Sequence, residues 1–158
     1  MSTVLNLIEL RSGDGNDLAL VDTLMREAFD PRFGEAWNVS QTSGMMALPG
    51  IWLTLATLNG TSAGFALSRS ILEDAELLLL AVRPSARGRG VGSALLRSVM
   101  HDARDRGATQ LHLEVRAGND AIHLYRREGF IKLGERPRYY RGASNEQFDA
   151  HSYSRHLA

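Results

Sequence analysis

Apolar residues recur along the chain with two alternating periods, and the switches between them mark the elements. Leu5–Leu10 reads as a first strand. After the Gly13–Gly15 stretch, Leu20, Val21, Leu24, Met25 and Ala28 fall on one face of a helix that Asp17 is placed to cap. Residues 30–50 lose periodicity around Pro31, Gly34, Gly44, Pro49 and Gly50, with room for one short helix from Ser40. Ile51–Leu58 and Thr61–Ser70 flank Asn59-Gly60, a strong two-residue hairpin signal, and Gly64 marks a bulge in the returning strand. The unbroken apolar run from Leu77 to Val82 predicts a strand over 76–82 that is buried on both faces. Helical spacing returns with Val91, Ala94, Leu95, Val99 and Ala103 facing in, Arg97, His101 and Arg104 facing out, and Gly107 as the stop. Gln110–Val115 alternates cleanly, with Leu111, Leu113 and Val115 on one face and His112 and Glu114 on the other. A helix from Asn119 to Gly129, a strand Phe130–Glu135, a loop Arg136–Gly142 and a last strand Phe148–Leu157 complete the series.

The strand–helix–strand unit across 76–115 requires a parallel pair joined by a right-handed crossover, whereas hairpin-linked strands are antiparallel. The expected class is therefore α+β: a mixed, mostly antiparallel sheet with a parallel central strand pair joined by a crossover helix. At 158 residues, without repeat, linker or low-complexity segment, the chain has the size of one domain. It has no cysteine, which excludes disulfides, thiolate metal sites and a cysteine nucleophile. No apolar run of membrane-spanning length and no basic-then-apolar leader at Met1 is present, so a cytoplasmic protein without a membrane partner is expected. Net charge is zero, which speaks against a general polyanion binder, yet residues 1–80 carry net −6 and residues 81–158 net +6. The second half suits a phosphate-rich ligand and the first half a cationic one.

The most informative stretch joins the buried strand to the helix at Val91. Glycines at 88, 90 and 92 let successive N–H groups converge into an anion-binding nest, and the helix aims its positive dipole end at the same point. A flexible arginine–glycine surface turn has the same composition; the strand and Pro84 before it and the amphipathic helix after it favour a pyrophosphate site. A P-loop needs Lys-Ser or Lys-Thr after its last glycine, where Ser93-Ala94 stand. The dinucleotide fingerprint needs a glycine in place of Ser93. Arg87-Gly88-Arg89-Gly90-Val91-Gly92 instead resembles the Gln/Arg-x-x-Gly-x-Gly/Ala acetyl-CoA loop of the GNAT N-acetyltransferase superfamily, and the order of elements is similar to that fold along nearly the whole chain. The resemblance implies a single GNAT domain over residues 1–158 with helices on both faces of the sheet. It also implies acetyl-CoA as co-substrate. Arg87, Gly88, Arg89, Gly90, Val91, Gly92 and Ser93 then hold the pyrophosphate, and the backbone of Leu80, Ala81 and Val82 pairs with the pantetheine arm. The amides of Ala81 and Val82 polarise the thioester carbonyl.

Glu114 alone reads as a solvated carboxylate on an exposed strand face. Leu113-Glu114-Val115-Arg116, followed by Asn119, resembles the Leu-Glu-Val-Arg-x-x-Asn motif of the RimI-type group, which acetylates the N-terminal alanine of a ribosomal protein. That resemblance makes Glu114 the general base. Tyr125, sharing a helix face with Ala121, Leu124 and Glu128, reads by itself as a core aromatic. Leu124-Tyr125 with Gly129-Phe130 resembles the family's Leu-Tyr-x-x-x-Gly-Phe signature, which implies a general acid facing the CoA sulfur. Ordinary pKa values of ~8.5 for a thiol and ~10 for tyrosine make a proton donor there chemically sensible. Asn119 stands one residue nearer the tyrosine than in the RimI-type group, so the loop at Ala117–Asp120 absorbs the shortening. A helix N-cap and a CoA contact both fit Asn119. Arg136-Pro137-Arg138-Tyr139-Tyr140 resembles that group's Arg-x-x-Tyr-Tyr segment beside the peptide groove. Tyr139 and Tyr140, with Phe33, Gly34 and Trp37 from the irregular segment, are thus candidate acceptor contacts, and core plugs under long loops fit them equally. Histidines 101, 112, 123, 151 and 156 show no metal-ligand spacing on one element, and no metal is expected.

Together these features predict direct acetyl transfer from acetyl-CoA to a primary amine, with Glu114 taking the proton and Tyr125 returning one to sulfur. An α-amine of pKa ~7.7–8.0 is about a tenth neutral at pH 7, against a few molecules per ten thousand for lysine at ~10.4. One base of modest strength therefore favours a protein N-terminus, such as that of a ribosomal protein, with lysine or a small-molecule amine as alternatives. A non-catalytic acyl-CoA-binding domain would have no use for Glu114 and Tyr125 together. A nucleic-acid module would need excess positive charge and basic–aromatic interleaving, so no nucleic-acid partner is expected.

Overall fold

The computed structural model describes residues 5–157. Among them, seven strands form one sheet in the order β1-β2-β3-β4-β5-β7-β6. The strands are β1 (Ile8–Gly13), β2 (Ile51–Leu58), β3 (Thr61–Ile71), β4 (Asp74–Val82), β5 (Gln110–Arg116), β6 (Ile131–Arg141) and β7 (Gln147–His156). The helices are α1 (Leu18–Ala28), α2 (Val39–Met46), α3 (Val91–Asp105) and α4 (Ala121–Arg127). β4 and β5 are parallel and joined through α3, while the other neighbours are antiparallel, which is the mixed α+β class the sequence predicts. Leu95, Leu96 and Val99 of α3 and Tyr125 of α4 close one face over Trp52, Leu111, Leu113 and Tyr153. Val21, Leu24 and Met25 of α1 close the other over Leu53, Leu55, Phe65 and Leu67. Each such side chain contributes ~1.5–3 kcal/mol by leaving water. No helix among the described residues is long and apolar enough to cross a membrane.

Two register shifts, where β3 meets the strands flanking it, shape the centre of the sheet. Asn59 (φ 51°) and Gly60 (φ 83°) both sit in the left-handed region, as a type I′ hairpin turn requires. The bulge expected at Gly64 falls one residue earlier: Ala56 pairs with Gly64 and Thr57 with Ser62, leaving Ala63 without a partner. Gly64 permits a close approach instead, since a Cβ there would stand 2.4 Å from the Ala81 carbonyl oxygen. In β4, Leu79 pairs with Leu67 and Leu77 with Ser68, so Leu78 is an extra residue that reverses the alternation. Ala75 and Leu77 consequently enter the core under α3, whereas Leu79 and Ala81 enter the core under α1. This corrects the reading of a strand buried on both faces: Glu76, Leu78, Leu80 and Val82 are only half-buried. Leu78, Leu80 and Val82 pack against the core on one side and line a cleft on the other.

Three further expectations shift. The first strand begins at Ile8, not Leu5, because Asn59 takes both polar groups of Leu7. Its side-chain oxygen accepts the Leu7 N–H and its own N–H donates to the Leu7 carbonyl, each at 2.8 Å, which sets Ile8 opposite Leu58. Asp17 makes no side-chain cap to α1; its carboxylate accepts from Arg11 at 2.8 Å and from the Asp14 N–H at 3.0 Å. The expected loop Arg136–Gly142 is largely strand, because β6 runs on to Arg141. Its ladder breaks between Arg136 and Tyr140, around Pro137 and a left-handed Arg138 (φ 55°) whose N–H donates to Asp149. β6 is the sheet edge, where a proline forfeits no ladder bond.

Candidate active site

Pairing between β4 and β5 stops at Leu77 and Leu113, although the strands continue to Val82 and Arg116. The strand ends part at the Leu78 bulge, and the gap opens a cleft of about 1100 Å³. Leu80, Ala81 and Val82 form one wall, and Glu114 and Arg116 the other. The edge of β4 facing this gap has no strand beside it, so its backbone groups can receive an extended ligand as an added strand.

At one end of the cleft, Gly88 (φ 74°) and Gly90 (φ 91°) turn the chain into α3 through left-handed conformations that favour glycine. No side chain caps α3 at Gly90, and Val91, Gly92 and Ser93 line the cleft there. The first-turn amides are therefore free for an anion. The Arg87 guanidinium is occupied structurally: Nε donates to Val82 O at 3.1 Å and Nη2 to Ala28 O at 2.7 Å, bracing the loop between β4 and α1. Arg89 turns to the Asn6 side chain (3.0 Å) and does not line the cleft. Arg127 does line it, with Nη2 3.4 Å from Ser93 Oγ. Its only sequence signal is its place two residues after Tyr125.

Glu114 and Tyr125 reach the same cleft from β5 and α4. Glu114 is partly exposed and lies 3.1 Å from Arg136 Nε. Tyr125 is buried, packed edge-to-face on Phe130 with ring centroids 5.8 Å apart. Burial raises its pKa above the ordinary tyrosine value, and the charges of Tyr140 and Glu35 add to this, so its hydroxyl stays protonated. Burial likewise raises Tyr140, with Glu35, Tyr139 and Glu114 contributing. Tyr139 is exposed, stands edge-to-face on Tyr140 at 4.9 Å, and carries Arg136 over its ring. Phe33 and Trp37 from the segment between α1 and α2, with Met45 of α2, complete the wall.

One feature of the site has no spacing signal in the sequence. Glu35 Oε1 accepts from Arg116 Nε at 3.0 Å and Oε2 from Asn119 Nδ2 at 2.7 Å. The N-cap of α4 is Asp120, not Asn119, but the Asn119 side-chain oxygen accepts the Ala121 N–H at 2.8 Å, so Asn119 both holds the turn into α4 and lines the cleft. Arg116 lies over the Phe33 ring at 3.8 Å. Gly34 allows Phe33 and Glu35 to lie this way, with φ 69° and a Cβ position only 2.0 Å from the Arg141 carbonyl oxygen. Apart from the cleft, His101, Asp102 and Asp105 bring potential ligand atoms within 4.8 Å of one another on α3.

A mixed sheet whose parallel strands part beside a glycine turn and an open helix start defines the GNAT acetyltransferase fold. The profile of the acetyltransferase (GNAT) family matches residues 19–130, and the chain belongs to this family. Within it, the chain is 36% identical over 112 residues to the N-alpha-acetyltransferase RimI of Mycobacterium tuberculosis, covering 68% of this chain and 69% of that protein. It is 41% identical over 85 residues to the ribosomal protein bS18-alanine N-acetyltransferase of Escherichia coli, covering 53% of this chain. That match spans little more than half, 57%, of the E. coli protein. The crystal structure of the ribosomal-protein-S18-alanine N-acetyltransferase from Escherichia coli superposes with a TM-score of 0.84 at 28% identity, covering 96% of this chain and 95% of that one.

Proposed function

We propose that the protein is an acetyl-CoA-dependent N-acetyltransferase, one domain over residues 1–158, whose acceptor is the α-amine of a protein N-terminus. The observation that carries this reading is the convergence of Glu114 and Tyr125 on one cleft where β4 and β5 part. The free amides of residues 88–93, the backbone of Arg89 included, suit a pyrophosphate, and the unpaired edge from Leu80 to Val82 suits the amides of a pantetheine arm. The N–H of Val82 is turned away from β3 and so can polarise the thioester carbonyl, whereas the alternation that follows from the Arg83 N–H bond to Ala63 turns the Ala81 N–H toward β3. Asn119, beside its bond to the Ala121 N–H, can touch the same arm, and Trp37, Tyr139 and Tyr140 flank the acceptor entrance. Glu114 takes the proton from the acceptor ammonium, releasing Arg136. As the new C–N bond forms and the C–S bond breaks, Tyr125 gives its proton to sulfur. Glu114, having passed the first proton to solvent, takes the second from the nitrogen, and Tyr125 regains its proton from solvent. The relatives named for alanine N-acetylation support a ribosomal protein as acceptor.

The test is the pH–rate profile of Glu114→Gln on an alanine-starting peptide. Loss of a general base costs ~10²–10⁴-fold, and the deficit should be largest near pH 7. Part of the rate should return above pH ~8, where the α-amine is mostly neutral unaided. Parallel profiles for wild type and variant would reject Glu114 as the base.

A further inference from the structure

Glu35 and Arg116 form an ion pair whose side chains are only 10% and 11% exposed, although they lie far apart in the chain. A buried pair of this kind contributes little net stability, so its presence calls for another reason. Both Glu35 oxygens are occupied, by Arg116 and by Asn119, so the carboxylate is not free to act as a base. What it holds is the start of α4. Asn119 donates to Glu35 and accepts from the Ala121 N–H, and Tyr125 stands four residues on, one turn above Ala121 on the same face. α4 has only seven residues, too few to keep its own register without such an anchor. We infer that Glu35 is a positioning residue for the proton donor: through Asn119 it fixes the first turn of α4 and so the place of the Tyr125 hydroxyl in the cleft. The same carboxylate belongs to the segment that carries Phe33 and Trp37, so the acceptor wall and the proton donor share one support. The raised pKa of Tyr125, to which the Glu35 charge contributes, agrees with that proximity.

This inference rests on the acid role proposed for Tyr125, and a double-mutant cycle separates the two. kcat and KM for acetyl-CoA are measured with an alanine-starting peptide for wild type, Glu35→Gln, Tyr125→Phe and the double variant. A donor misplaced by about 1 Å costs up to ~10²-fold, so Glu35→Gln should lower kcat by ~10–100-fold with KM nearly unchanged. Once the hydroxyl is gone its position no longer matters, so the double variant should match Tyr125→Phe. Losses that multiply, or a wild-type kcat in Glu35→Gln, would overturn the positioning role alone. A wild-type kcat in Tyr125→Phe would reject the acid role and the inference with it. Asn119→Ala, which removes the other end of the bridge, carries the same cycle in kcat alone should Glu35→Gln fail to fold, because its own contact with the arm moves KM.

Discussion

Two glycine-to-alanine substitutions should change stability in opposite directions, for reasons set by a few ångströms of space. At Gly44, in the interior of α2, an added Cβ meets nothing within 4 Å. Alanine there gains helix propensity and removes unfolded-state freedom, worth ~0.5–1 kcal/mol. At Gly64 the added Cβ would lie 2.4 Å from the Ala81 carbonyl oxygen and 3.2 Å from Val82 Cα. Side-chain rotation cannot relieve that overlap, because the obstacle is backbone held by the β3–β4 ladder. Overpacking of this kind costs ~1–3 kcal/mol and outweighs the ~0.4–1 kcal/mol gained through the unfolded state. For a chain of this size each kcal/mol moves Tm by ~2–4 °C, so a net cost of ~1.3 kcal/mol predicts a fall of ~3–5 °C for Gly64→Ala and a rise of a few degrees for Gly44→Ala. Because β4 must shift at Ala81 and Val82, Gly64→Ala should also bind acetyl-CoA more weakly, while Gly44→Ala should not. Thermal unfolding followed by circular dichroism and calorimetric titration with acetyl-CoA read both effects. A Gly64→Ala protein melting at or above wild type with unchanged affinity would refute the reasoning.

Tyr125→Phe keeps the ring packed on Phe130 and removes only the hydroxyl. It should lower kcat by ~10²–10⁴-fold with acetyl-CoA affinity unchanged, as steady-state kinetics and calorimetry can establish. Arg11 and the Asp14 N–H hold the Asp17 carboxyl below the usual carboxylate range. The unfolded chain then binds that proton more readily, so the contribution is complete above pH ~4 and fades as pH falls further. Asp17→Asn should flatten the acid limb of Tm against pH, and an unchanged limb would reject the coupling.

The readable parts of the molecule are those whose physics is local. Arg87–Gly92 needs left-handed turns at Gly88 and Gly90 and an uncapped helix start, and glycine announces both within a few residues. The crossover from β4 to β5 follows from period changes inside forty residues. The Leu78 bulge is invisible in sequence because consecutive leucines present no alternation to interrupt, so the half-exposed wall of the cleft reads as core. Pro137 and Arg138 read as a loop because an edge strand that tolerates them can be recognised only when its neighbours are known. Glu35 lacks a signal for the same reason: its partners come from β5 and the turn before α4, and only the fold brings them together. The side chains of Arg87 and Arg89 carry the opposite lesson. Their place in the loop motif pointed to the ligand, yet one braces backbone carbonyls and the other reaches Asn6.

The central claim is acetyl transfer to an N-terminal α-amine, and one reaction tests it directly. A peptide carrying both a free N-terminal alanine and an internal lysine is incubated with the protein and acetyl-CoA at pH 7, and the acetyl group is located by fragment mass spectrometry. The neutral fraction of the α-amine exceeds that of the lysine by a few hundredfold, and a single carboxylate base at Glu114 does not close that gap. The account predicts acetylation confined to the alanine nitrogen in the early part of the reaction. Acetyl on the lysine first, or no transfer to either amine, would contradict it.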